Sequence, residues 1–154
     1  AEPAPDREGR RTMADITLRK VRTIIASARK AGEAAGYKPL SIVVLDAGGH
    51  VIAFERADGA SPGRFEIARG KAYGAVMLHM GGNAQRDRAE AQAYFMAAVN
   101  GAFDGRLVPV PGGVLIRNAK GLVLGAVGVT GDTSENDAAA AVAGIEAAGF
   151  VAEA

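Results

Sequence analysis

The strongest constraint on the fold comes from residues 112–140, where two strand-like runs and a helix start follow one another closely. Apolar residues predict strands over residues 114–117 and 122–129, and the segment 118–121 between them ends in a glycine, as tight turns often do. Two strands joined by so short a turn form an antiparallel hairpin. The chain therefore has a sheet in which the last strand of a hairpin leads directly into a helix.

The link between this hairpin and the helix is the first candidate site. Ser134 and Asp137 have the spacing of a capping box, which predicts that the helix is entered at Ser134. The first N–H groups of a helix lack partners within the helix and attract anions. We therefore expect a ligand site near Thr130 and Gly131, at the edge of the sheet.

The first half of the chain shows the same alternation of helix and hairpin. Apolar residues at helical spacing predict an amphipathic helix over residues 17–35 that ends at Gly36. The strand-like runs 41–46 and 50–56 are joined through glycines, which adopt the positive φ that tight turns require. This part of the sequence predicts a second β-hairpin.

Two helices are expected between the hairpins. Ser61 and Pro62 predict an N-cap followed by proline at the first helical position, and this helix runs to about residue 80. A second helical pattern covers residues 83–100. The hairpin strands are too closely linked for parallel crossovers. The sequence therefore predicts an α+β fold with an antiparallel sheet flanked by helices.

Composition and charge exclude several classes of function. The 154 residues suit one domain, which we expect to span residues 15–154 behind a disordered, proline-rich tail of residues 1–14. Eighteen basic and seventeen acidic residues give a formal charge of +1, so neither nucleic acid nor an anionic membrane surface is an expected partner. No apolar run is long enough to predict a membrane span. The absence of cysteine leaves the compartment open, and we favour the cytoplasm over secretion.

Four segments resemble those of a known family. They read ARGKAYGAV at residues 68–76, PGGVLI at 111–116, GAVGVTG at 125–131 and DAA at 137–139. In this order they resemble the GlcG/HbpS family of haem-binding or haem-degrading domains, over residues 16–149. The resemblance implies a profilin-like sandwich of two or three layers, with an antiparallel sheet of about five strands flanked by helices. It also implies a homo-oligomer, from dimer to octamer, that binds haem or a similar anionic ligand in a redox-sensing role or as an accessory to a catabolic pathway.

Three positions depart from the family pattern. Gly74 stands where members often have threonine, Leu115 stands where they often have proline, and the segment after Met80 lacks a short Pro-Thr signal. We expect these changes to surround the ligand pocket. They favour an alternative to haem, in which the chain binds or converts a small oxygenated acid or ketone.

Haem iron needs an axial donor, and without cysteine the available donors are histidine, methionine and tyrosine. His79 is the expected iron ligand, because it continues a helical stripe of apolar residues and its imidazole would point inward. The competing interpretation is a helix-end histidine stabilised by the helix dipole. His50 lies beside a turn and is expected to be exposed. Neither histidine has an acidic or thiol neighbour at metal-ligand spacing, so we expect no zinc site.

Lys71 is the residue singled out on chemical grounds. It lies in the middle of a predicted helix among small residues, where burial would lower its pKa and leave space for a ligand. Such a lysine can act as a base, a Schiff-base amine or a carboxylate clamp, whereas the competing interpretation is a lysine that extends its ammonium group to solvent. Arg64 and Arg69 add positive charge on the same helix.

Gly112 and Gly113 permit close backbone approach to a ligand, or form a bulge at a strand start.

These residues leave three functions open. In the first, an oligomer binds haem or a similar anion in a pocket formed by His79, Lys71, Arg64, Gly112, Gly113, Thr130 and Gly131. In the second, a cofactor-free lyase or isomerase acts on a small oxygenated acid or ketone, with Lys71 as its catalytic residue. The third is a structural or accessory subunit without chemistry of its own.

Overall fold

A computed structural model describes residues 16–154, so the tail predicted over residues 1–14 lies outside the described residues. In chain order the helices and strands are α1 Leu18–Ala34, β1 Ser41–Asp46, β2 Val51–Arg56, α2 Arg64–Leu78, α3 Gly82–Ala91, α4 Ala93–Ala102, β3 Gly113–Arg117, β4 Val123–Thr130, α5 Ser134–Ala147 and β5 Val151–Glu153. Within this part of the chain, no helix combines the length and apolar character needed to cross a membrane.

The five strands of the described chain form one antiparallel sheet with the order β2-β1-β4-β3-β5. The longest strand, β4, lies at the centre between β1 and β3, and the short β5 pairs with β3 at one edge. Both predicted hairpins, β1–β2 and β3–β4, are present. The sheet and its helices confirm the predicted α+β fold.

Helices cover both faces of this sheet. Along β1, Ile42 and Val44 pack in an apolar cluster with α1 and α5, whereas Val43 and Leu45 pack in a second cluster with α2. Successive side chains of a strand point to opposite faces, and all four of these residues are buried. The molecule therefore has three layers, with α1 and α5 on one side of the sheet and α2 on the other.

Two predicted helix boundaries were wrong. The helix α2 begins at Arg64 after Gly63, and Ser61 contributes only its carbonyl oxygen, which accepts the Arg64 N–H in the preceding turn. The helix predicted over residues 83–100 is two helices, because Gln92 has φ −141° and ψ 66°, outside the helical region, and separates α3 from α4.

Candidate functional site

A buried ion pair joins α2 and α5 at the end of the central strand β4, not at an edge strand of the sheet. The Lys71 Nζ lies 3.1 Å from the Asp137 Oδ2 and also donates a hydrogen bond to the Val129 carbonyl oxygen at 3.0 Å. Lys71 is 3% exposed and Asp137 1%. Burial lowers the pKa of Lys71 because the ammonium group loses water, and the Asp137 carboxylate partly opposes this effect. The interpretation of Lys71 as a solvent-reaching lysine was therefore wrong.

The same aspartate contacts the loop before α5. The second carboxylate oxygen of Asp137, Oδ1, accepts the Asp132 N–H at 2.9 Å. The predicted capping box was displaced by one residue, since Thr133 is the N-cap, with its Oγ1 accepting the Asn136 N–H at 3.2 Å, and Ser134 is already helical. Sequence reasoning took Asp137 for a capping residue and missed it as the ion-pair partner, although its position in the DAA segment singled it out.

Asp132 extends this network to the loop between α1 and β1. Its Oδ1 accepts the Lys38 N–H at 2.8 Å, and its Oδ2 accepts hydrogen bonds from the Thr133 N–H and the Asn136 Nδ2. These bonds stabilise the carboxylate and lower the pKa of Asp132 to about 2. The N–H groups of Asp132, Thr133 and Asn136, where we expected an external anion, thus have acceptors within the chain itself.

Gly112 and Gly113 let α2 approach the sheet closely. A Cβ on Gly113 would collide with the Lys71 carbonyl oxygen, and a Cβ on Gly112 would lie 3.0 Å from the Lys71 Nζ. Gly112 has a φ of 117°, which favours glycine, and its carbonyl oxygen accepts the Val129 N–H at 2.9 Å. The glycine pair therefore makes room for the buried lysine.

Arg64 and Thr130 form a second side-chain contact between α2 and the end of β4. The half-buried Arg64 donates from Nη1 to the Thr130 Oγ1 at 3.0 Å, and Thr130 is 2% exposed. Gly131 has a φ of 145°, and a Cβ there would collide with the Pro39 carbonyl oxygen. All the predicted binding residues except His79 thus meet at this end of β4, but they form a packed network, the β4-end network, rather than an open pocket.

His79 lies apart from that network. The helix α2 ends at Leu78, and His79 is its exposed C-cap residue, in the left-handed conformation with φ 51° and ψ 45°. The expectation of an inward-pointing imidazole was wrong, because the helical stripe stops before it reaches this residue. About eight residues separate Lys71 from His79, which corresponds to a rise of about 12 Å along a helix. His50, after the β1–β2 turn, is exposed as expected.

The predicted residues do not fit haem as a single pocket within one chain. The Lys71 ammonium and the Thr130 hydroxyl are buried and already hydrogen-bonded, so neither is free to bind a propionate. His50 and His79 can offer an imidazole to iron, but only from the surface. Among residues 16–154, no group of three or more His, Cys, Asp or Glu side chains is placed to hold a metal ion.

The departures from the family pattern lie in packing contacts. A Cβ on Gly74 would lie 2.5 Å from the Gln85 Oε1, and Gln85 donates from Nε2 to the Met80 carbonyl oxygen at 2.8 Å. Leu115 is fully buried in the apolar cluster beneath α2. Gly74 and Leu115 set the contact between α2 and α3 and the packing of the core, so the expectation that these two positions surround a ligand pocket was wrong.

Comparison with known sequences places the chain in a family. A family model described as haem degrading protein HbpS-like matches residues 16–146. An uncharacterized 15.0 kDa protein in the dhaT-dhaS intergenic region of Citrobacter freundii is 34% identical over 122 residues, which cover 73% of this chain and 82% of that protein.

Two solved structures share the architecture. The crystal structure of HbpS has a TM-score of 0.74 and 25% identity, and the match covers 88% of this chain and 91% of that chain. The crystal structure of a PduOC:heme complex has a TM-score of 0.79 and 20% identity, covering 88% of this chain and 96% of that chain. The fold agrees with the family match, which covers most of the described residues. The chain belongs to the HbpS-like family.

Proposed function

We propose that this protein binds haem at its surface, with His79 as the axial ligand of the iron. The proposal rests on the exposed position of His79 at the end of α2. The buried groups of the β4-end network, Lys71 and Thr130, already have hydrogen-bond partners within the chain. Membership of a family described as haem degrading, and the fold shared with a domain solved as a heme complex, support the ligand class. Bound haem would supply a redox-active iron, which suits a redox-sensing or accessory role in a catabolic pathway.

Two features favour His79 over His50. His79 has a left-handed backbone and is an exposed residue directly after the last turn of α2. The His50 ring instead lies against its own turn, where a Cβ on Gly48 would lie 3.1 Å from the His50 Nε2. The His50 ring is therefore restricted by its own turn, and this favours His79 as the ligand.

We further propose that a second copy of the chain covers α4. Met96 is the buried residue of this apolar helix, while Tyr94 is 75% exposed and Phe95 39%. Large contiguous apolar surfaces on soluble proteins usually mark interfaces. The adjacent α3 carries both basic and acidic side chains, among them Arg88 and Glu90, so two copies can offer each other opposite charges.

A haemin titration tests the ligand and its axial residue together. We expect a saturable Soret shift in the wild-type protein, a weaker and displaced band in His79→Ala, and an unchanged titration in the matched variant His50→Ala. Adsorption that never saturates would reject haem binding. A His79→Ala titration identical to that of the wild type would reject His79 as the ligand.

The lyase or isomerase alternative requires the Lys71 amine to reach a substrate. Its lowered pKa favours reactivity, but Nζ is buried and holds both Asp137 and the Val129 carbonyl. This arrangement favours a structural role. Borohydride treatment with small oxo-acids, followed by mass spectrometry, should therefore leave Lys71 unmodified, and a trapped adduct at this residue would restore the enzyme hypothesis.

A further inference from the structure

A cavity of about 300 Å³ lies between α2 and residues 105–108, in the segment that follows α4. Its apolar walls include Ile67, Tyr73 and Val108, and its charged walls are Glu66, Arg69 and Arg106. The residues of the β4-end network, among them Lys71, Thr130 and Asp137, do not line this cavity. Its volume is at the lower end of the range for small-molecule sites, which run from about 300 to 1,000 Å³. The size suits a small ligand.

Tyr73 is an almost fully buried residue that lines this cavity. It is 7% exposed, and the Arg106 guanidinium carbon lies 4.3 Å from the ring centroid. The Arg106 Nε donates to the Phe103 carbonyl oxygen at 3.0 Å, which holds the guanidinium plane over the ring. Within residues 16–154, the Arg106 Nη atoms donate no hydrogen bond, so they are available to a ligand.

The charge of the cavity favours an anion. It has two arginines against one glutamate, Glu66, and no carboxylate of residues 16–154 lies within 4.0 Å of the Arg69 or Arg106 guanidinium. Guanidinium groups bind carboxylates through paired N–H donors. A small hydrophilic anion would leave the apolar walls of the cavity in contact with water. A ligand that also has an apolar part would cover these walls and displace that water, which favours binding.

We propose that this cavity binds a small monocarboxylate with a compact apolar body. The carboxylate lies between Arg69 and Arg106, and the body packs against Ile67, Tyr73 and Val108. This site is separate from the haem ligand His79, so each proposal can fail without the other.

Isothermal titration calorimetry with benzoate as the probe tests the site. We expect saturable binding of benzoate, and none of benzyl alcohol or inorganic phosphate, each of which lacks one of the two required parts. Arg69→Gln and Arg106→Gln should each weaken benzoate binding about tenfold or more, the effect of losing a hydrogen bond to a charged group.

Arg22→Gln is the control, because Arg22 is an exposed arginine on α1 and lies outside the cavity. Its benzoate affinity should equal that of the wild type. Ile67→Trp places a large side chain at a position that is 36% exposed, and it should abolish binding while the far-ultraviolet circular dichroism spectrum is retained. No saturable benzoate binding, or equal affinity in the Arg69, Arg106 and Ile67 variants, would overturn the proposal.

Discussion

Lys71 and Asp137 are 66 residues apart in the chain, yet their charged atoms meet at 3.1 Å with both side chains almost fully buried. One belongs to the helix on one face of the sheet and the other to a helix on the opposite face. The pair therefore connects the two outer layers around the end of β4. Removing one partner would leave the other charge buried without compensation.

Lys71→Met should lower the free energy of unfolding by about 3–5 kcal/mol, because it leaves the Asp137 carboxylate buried and unpaired. Urea unfolding followed by circular dichroism measures the change. The double variant Lys71→Met/Asp137→Leu should recover much of the loss, since no buried charge remains.

Arg86→Met is the control for this experiment. It breaks ion pairs near the surface with Asp87 and with Glu135 at the start of α5, and should cost less than about 1 kcal/mol. A Lys71→Met variant as stable as Arg86→Met would contradict the structural role of the buried pair.

Gly113→Ala should lower the free energy of unfolding by about 1–3 kcal/mol or more, because the new Cβ would collide with the Lys71 carbonyl oxygen and push α2 from the sheet. Gly101→Ala, in the exposed α4, is the matched change, since its Cβ would meet no atom within 4 Å. Alanine is the better helix former, so this variant should be as stable as the wild type or more stable. Chemical unfolding of both proteins measures the contrast, and equal destabilisation would refute the close-packing explanation.

The pH dependence of stability should reveal Asp132. Its folded pKa of about 2 lies below the ordinary value of 3.8, so its contribution is complete above about pH 4 and is lost as the pH falls through about 2. The difference in unfolding free energy between the wild type and Asp132→Asn should therefore shrink over this window. A carboxyl titration by nuclear magnetic resonance that places the pKa of Asp132 near 3.8 would contradict the prediction.

Phe95→Glu should reduce or abolish self-association, because it places a charge in the apolar surface of α4 that we assign to a second copy. Size-exclusion chromatography with light scattering reports the change in mass. Leu122→Glu alters an apolar residue that is 61% exposed on the β3–β4 hairpin, and should leave the mass unchanged. A monomeric wild-type protein, or an assembly unaffected by Phe95→Glu, would contradict this interface.

The helix and hairpin pattern could be predicted from local sequence. The helix predicted over residues 17–35 is α1, with Thr17 as its N-cap, and both hairpins have a turn glycine with positive φ, Gly49 and Gly121. These features depend on residues close together in the chain, because turn chemistry and side-chain periodicity act over a few positions. The break at Gln92 was missed, since the residues on either side of it are good helix formers and only the backbone geometry reveals the interruption.

The chemical state of the candidate site depended on tertiary structure. Local sequence was enough to predict that Lys71 lies among small residues on a helix and that a glycine pair precedes a strand, and the family motifs in these segments identified the fold. Only the folded chain decided that Lys71 meets Asp137, that Arg64 is held by Thr130 and that His79 faces solvent. Pairing and burial arise from segments far apart in sequence, and these long-range contacts set which charges are neutralised and which remain available to a ligand.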